Sequence, residues 1–163
     1  MSDACINIRG NADDPGFVNA IKEVTGQALP TEPNTAARGA HCVYWLGPDE
    51  WLVTTAQENR AELLPKLDAA LSSMHAAVND LSGGNVAISL RGSEVAEVLA
   101  KGCTLDLERF AVGACAQTGL GKAGILLDRA AEIEYTIIVR RSFSDYLMQW
   151  LRHAGQDHDI EFG

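Results

Sequence analysis

The sequence has no CxxC pair, no long apolar run and little positive charge, and each lack removes a class of function. The four cysteines, Cys5, Cys42, Cys103 and Cys115, are widely and irregularly spaced. That spacing argues against a redox pair or a zinc knuckle, and it reads as four reduced thiols in a cytoplasmic protein. No segment approaches the ~18 apolar residues of a membrane span. Met1-Ser2-Asp3-Ala4 has neither a basic n-region nor an apolar h-region, so no signal peptide is expected. Lysine and arginine number 13 against 22 aspartates and glutamates, for a net charge of −9 and a pI near 4.8. Such a surface repels phosphates, which argues against nucleic acid and against anionic membranes as partners.

What remains is ordinary for a globular domain: 163 residues, 47% of them apolar. A chain of this length buries roughly 70% of its unfolded surface and needs no metal or disulfide to fold.

The stretch that organises the chain is Cys42-Val43-Tyr44-Trp45-Leu46-Gly47-Pro48-Asp49-Glu50-Trp51-Leu52-Val53-Thr54-Thr55. Two β-branched and aromatic runs flank a Gly-Pro-Asp-Glu turn, which is a hairpin pattern. Before it, Ala4 to Arg9 alternates as a first strand. Asp14 and Pro15 then supply an N-cap and N1 proline for a helix carrying Phe17, Val18, Ile21 and Val24 on one face, closed by Gly26. Residues 29–35, with two prolines, form an extended crossing. After the hairpin a helix is predicted from about Glu58 to Ser73, with Leu63, Leu64, Leu67 and Leu71 inward and Pro65 kinking or splitting it.

A strand over 75–81 follows, then a turn and a second alternating strand, Val86 to Leu90. Ser93 is expected to cap the next helix, with Val95, Val98 and Leu99 on its inner face. Residues 114–128 read as one long strand bent at Gly119, Gly121 and Gly124. Residues 134–140 are strongly β-prone. Ser142 and Asp145 resemble a capping box for a last helix bearing Phe143, Tyr146, Leu147, Trp150 and Leu151. The tail, 156–163, is expected to fray.

The order is β-α-β-β-α-β over about 5–81, then β-α-β-β-α over about 86–155. This is an α+β fold of two tandem ferredoxin-like split βαβ units, a pseudo-duplicated single domain over residues 1–163.

No set of residues assembles a nucleophile, a base and an orienting group, so no catalytic, cofactor-binding or metal residue is assigned. Lys101-Gly102-Cys103 allows a cation-activated thiol, but the plainer reading is a helix C-terminus. His41 and Cys42 are adjacent on a strand and point to opposite faces, while His153 and His158 sit in or near the tail, so neither pair makes a metal site. The GxGxxG spacing at 119–124 leads into a strand and lacks the helix N-terminus that a phosphate needs. Asp49 and Glu50 read as a solvated turn. Arg140 and Arg141 at a strand end could hold a carboxylate or an acidic loop of a partner. Trp45, Trp51 and Trp150 read as core, any exposed one being an interface anchor. Arg140, Arg141, Trp45 and Trp51 are therefore the candidate partner-contact residues.

Five blocks carry a family resemblance: Leu29-Pro30-Thr31-Glu32-Pro33-Asn34-Thr35; Trp45-Leu46-Gly47-Pro48-Asp49-Glu50-Trp51-Leu52; Leu99-Ala100-Lys101-Gly102-Cys103-Thr104-Leu105-Asp106-Leu107; Cys115-Ala116-Gln117-Thr118; and Val139-Arg140-Arg141-Ser142-Phe143-Ser144-Asp145-Tyr146-Leu147. In this order, across about residues 5–155, they resemble the gamma subunit of heterotetrameric sarcosine oxidase. Members often carry a leader before the first strand, whereas this sequence begins almost at that strand.

The resemblance implies a fold like the folate-binding domain of the glycine-cleavage T-protein, an aminomethyltransferase. It also implies a non-catalytic role in a complex that oxidatively demethylates sarcosine to glycine, releasing hydrogen peroxide and forming methylenetetrahydrofolate. FAD and covalent FMN are then expected on the beta subunit, NAD and folate on alpha, and zinc on delta. Gamma packs directly on alpha and binds none of them. Alone, it is expected to expose an apolar patch of several hundred Å². The alternatives are a free-standing folate-binding or aminomethyltransferase-like protein, for which Asp80 and Glu134 are the carboxylates to watch, and the equivalent subunit of another four-subunit secondary-amine oxidoreductase.

Overall fold

The computed structural model describes residues 3–163; Met1 and Ser2, half of the stretch read above for a signal peptide, lie outside them. The described residues form two compact units, one ending at Gly83 and one spanning Gly84–Gly163.

The first unit runs β1 (Ala4–Arg9), α1 (Pro15–Thr25), β2 (Ala36–Ala37), β3 (His41–Gly47), β4 (Glu50–Thr55), a 3-10 turn at Gln57–Asn59, α2 (Arg60–Leu71) and β5 (Ala77–Asp80). Its antiparallel sheet has the order β2-β3-β4-β1-β5. The start of α1 is as predicted: the Asp14 carboxylate accepts from Gly16 N–H at 2.9 Å, and Pro15 opens the helix. The helix ends where Gly26, at φ +73°, donates its N–H to the Lys22 carbonyl. Phe17 and Ile21 on α1, with Leu63, Leu67 and Leu71 on α2, pack over Ile6, Ile8, Trp51 and Val53.

Pro65 does not split α2, which is continuous through it. Pro65 and Ala61, the residue whose carbonyl loses its partner, are both exposed, so water can satisfy that carbonyl. The proline still costs helix stability. Pro65→Ala should raise stability by about 2 kcal/mol, the ~3 kcal/mol propensity gain less the entropy returned to the unfolded chain. A urea titration followed by circular dichroism measures it.

The second unit runs β6 (Asn85–Arg91), α3 (Val95–Ala100), β7 (Cys115–Leu120), β8 (Ala123–Ala131), β9 (Glu134–Arg140), α4 (Arg141–Ala154) and β10 (Glu161–Phe162), with sheet order β10-β6-β9-β8-β7. Three expectations are corrected here. Residues 114–128 are not one strand: Leu120 pairs with Ala123 across Gly121-Lys122. Gly121, at φ +57°, is the first central residue of a two-residue hairpin loop, the position where a glycine removes the steric cost. Neither Ser93 nor Ser142 caps a helix, because α3 and α4 begin after Glu94 and Arg140 with no side-chain cap bond. The tail does not fray. Phe162 pairs with Leu90, Gly163 exchanges both backbone bonds with Ser89, and the Ser93 hydroxyl donates to Asp159 at 3.1 Å.

The two units share one design. Each is β-α-β-β-β-α-β, and reversing the second sheet order matches it to the first strand by strand. The register repeats too. Arg9 faces Glu50 and Ile8 faces Trp51; Arg91 faces Glu134 and Leu90 faces Tyr135. Both Arg–Glu couples are ion pairs, at 3.1 and 3.6 Å. Both following glycines donate across to the neighbouring hairpin, Gly10 to Asp49 and Gly92 to Ile133. The repeat is written as Ile6-Asn7-Ile8-Arg9-Gly10 and Ile88-Ser89-Leu90-Arg91-Gly92, followed by Gly26-x-x-Leu29-x-x-Glu32 and Gly102-x-x-Leu105-x-x-Glu108.

Candidate functional site

The lysine and the thiol that suggested a reactive cysteine are taken by different partners. Lys101 turns away from Cys103. Its ammonium donates to the Ala154 carbonyl at 2.7 Å and faces His158 Nε2 at 3.0 Å, while Cys103 Sγ lies 3.6 Å from the Thr118 hydroxyl. Gly102 is not in the left-handed region; a side chain there would collide with the Trp150 ring. Burial, reinforced by the charges of Asp3 and Asp80, pushes the Cys5 thiol up to about 11, so it stays protonated and inert.

His41 Nδ1 contacts the Thr55 hydroxyl at 2.7 Å, and Asn59 donates to the same oxygen. His41, Asn59, Glu62 and Lys66 border a cleft of about 190 Å³ whose carboxylate and ammonium already pair with each other. His153 lines a different, 350 Å³ hollow with Lys101 and Trp150. Glu50 is not simply solvated: it accepts from Asn7 Nδ2 at 2.9 Å and pairs with Arg9. The 119–124 glycines belong to the β7–β8 hairpin.

The two carboxylates watched for a pterin are committed elsewhere. Glu134 pairs with Arg91. Asp80 is bound by the Arg60 guanidinium and accepts from the Ser82 hydroxyl at 2.6 Å, while that hydroxyl accepts the Cys5 N–H. The hydrogen bond from Arg60, then that from Ser82, holds the Asp80 carboxyl at about 2, below its ordinary 3.8. The folded value is the depressed one. Its contribution to stability is therefore complete above about pH 4 and fades as pH falls toward the folded value. Asp80→Asn should flatten the melting temperature against pH in that acid window while leaving its slope near neutrality unchanged; thermal scans from about pH 2 to 7 read this out.

Of the candidate contact residues, Trp51 is corrected. It is 0% exposed, its indole N–H donates to the Pro30 carbonyl at 2.7 Å, and its ring meets Phe17 at 5.5 Å between centroids. Trp45 is half-buried against the same core. Arg140 and Arg141 are exposed where β9 passes directly into α4. The first turn of α4 holds no acidic residue, so two guanidinium groups sit at the positive end of a helix, where cations are disfavoured. Phe143, 38% exposed, stands in that same turn. The other exposed large apolar residues among those described are Leu81, Val112 and Ile133.

Sequence reasoning missed one cluster. Glu94, Glu97 and His158 bring their side-chain ends together, with His158 Nδ1 3.4 Å from Glu94 and 3.9 Å from Glu97. Glu94 and His158 are 64 residues apart, and no local pattern joins them. No helix among the described residues is long and apolar enough to cross a membrane.

Comparison with known proteins supplies what the side chains alone do not. A gamma subunit of sarcosine oxidase from Corynebacterium sp. (strain U-96) is 37% identical over 83% of this chain and 67% of its own length. Among solved structures, a chain of "Heterotetrameric Sarcosine Oxidase from Corynebacterium sp. U-96 in complex with pyrrole 2-carboxylate" superposes with a TM-score of 0.89 at 30% identity, over 96% of this chain and 81% of that one. The glycine cleavage system aminomethyltransferase T from Bartonella henselae, at 14% identity, reaches a TM-score of 0.69 over 92% of this chain and 43% of its own, a likeness of fold alone. Residues 9–157 match the sarcosine oxidase, gamma subunit family, and the chain belongs to that family.

Proposed function

We propose that this chain is a non-catalytic subunit of a heterotetrameric sarcosine oxidase, the complex that oxidatively demethylates sarcosine to glycine. In this reading it packs directly on the alpha subunit and supports assembly with beta and delta. FAD and FMN belong to beta, NAD and folate to alpha, and zinc to delta, with none of them on this chain. The observation that carries the proposal is the likeness over 96% of the chain to a chain of a heterotetrameric sarcosine oxidase.

The exposed Arg140, Arg141 and Phe143 form the contact surface we assign to a partner. Two exposed guanidinium groups beside an exposed phenyl ring suit an acidic, partly apolar segment of a neighbouring subunit. Gel filtration of this chain mixed with the alpha subunit should give a single, earlier-eluting species; separate elution of the two overturns the proposal. With wild-type assembly established, the double variant Arg140→Glu and Arg141→Glu should raise the dissociation constant about tenfold or more. Unchanged affinity would move the contact elsewhere without touching the subunit role.

A further inference from the structure

We draw no further inference here: the strongest candidate, the Glu94–Glu97–His158 side-chain cluster where α3 begins beside the C-terminal segment, holds only two carboxylates and an imidazole whose far nitrogen already faces the Lys101 ammonium, and nothing else at that place points to an ion.

Discussion

Replacing Trp51 with alanine is expected to destabilise the first unit by about 3–5 kcal/mol, the range for emptying a fully buried aromatic site. The side chain lies between sheet and helices, against Phe17 and among Ile8, Val53 and Leu67. Little around it can collapse into the space, because its neighbours belong to strands and helices pinned by their own hydrogen bonds. Part of the loss is polar: without the indole N–H, the Pro30 carbonyl has lost its donor. Trp51→Phe isolates that part and should cost about 1–3 kcal/mol, the range for stranding a buried acceptor. Urea unfolding followed by circular dichroism reads both variants. If Trp51→Ala kept its stability and lost only partner binding, Trp51 would be an interface anchor after all, and its place in the core would be wrong.

Gly92→Ala should release the C-terminal segment. Gly92 sits at φ +150°, and a side chain there would run into the backbone carbonyl of Asp159. Backbone cannot rotate aside as a side-chain tip can. The variant must either strain itself, at about 1–3 kcal/mol, or let Asp159 move. Movement is the easier route, since the segment lies at the edge of the sheet and β10 is only two residues long, its ties to the rest of the unit being to Asp159, His158 and Gly163. Hydrogen exchange at Gly163, whose N–H donates to the Ser89 carbonyl, should quicken by about tenfold or more, as expected for a local opening made easier by ~1.4 kcal/mol or more. The amides of β1 and β4, which lie in the other sheet, should not change. Unaltered protection of Gly163 would show that the segment does not depend on Gly92.

The parts of the fold that could be read from the sequence are those whose signal is local. Asp14-Pro15 and Gly26 mark the ends of α1 with residues chosen for backbone reasons, and both ends are where they were expected. The central hairpin was legible because Gly47-Pro48-Asp49 interrupts two β-branched runs. The β7–β8 hairpin was not, because three glycines within 119–124 offered three places to bend and only Gly121 has the positive φ of a tight loop. Ser93 and Ser142 misled for a related reason. A serine ahead of an apolar run signals a cap, but the Ser93 hydroxyl is taken by Asp159, and α4 follows β9 with no loop in which a cap could form.

The candidate site was less legible than the fold. Trp51 and Trp45 face each other across the β3–β4 ladder and share one face of the sheet; Trp51 is sealed in because β4 lies inside the sheet, between β3 and β1, whereas β3 has only the two-residue β2 beyond it. The Glu94–His158 meeting depends on a C-terminal strand whose two residues pair with β6, and no periodicity announces a strand so short. The family resemblance came through because it rests on blocks in order rather than on any one side chain.

The Arg–Glu rung that recurs in both sheets carries a hazard for the folding chain. β1 could offer β9 nearly the same ladder that it offers β4, because charge matches charge and aliphatic faces aromatic at the next step. What tells the right match from the impostor is which aromatic ring stands at that step. An indole there can reach the Pro30 carbonyl and lie beside Phe17, whereas Tyr135 lies under the Arg129 guanidinium instead. A duplicated protein of this kind owes its correct threading to the few places where its copies stopped being alike.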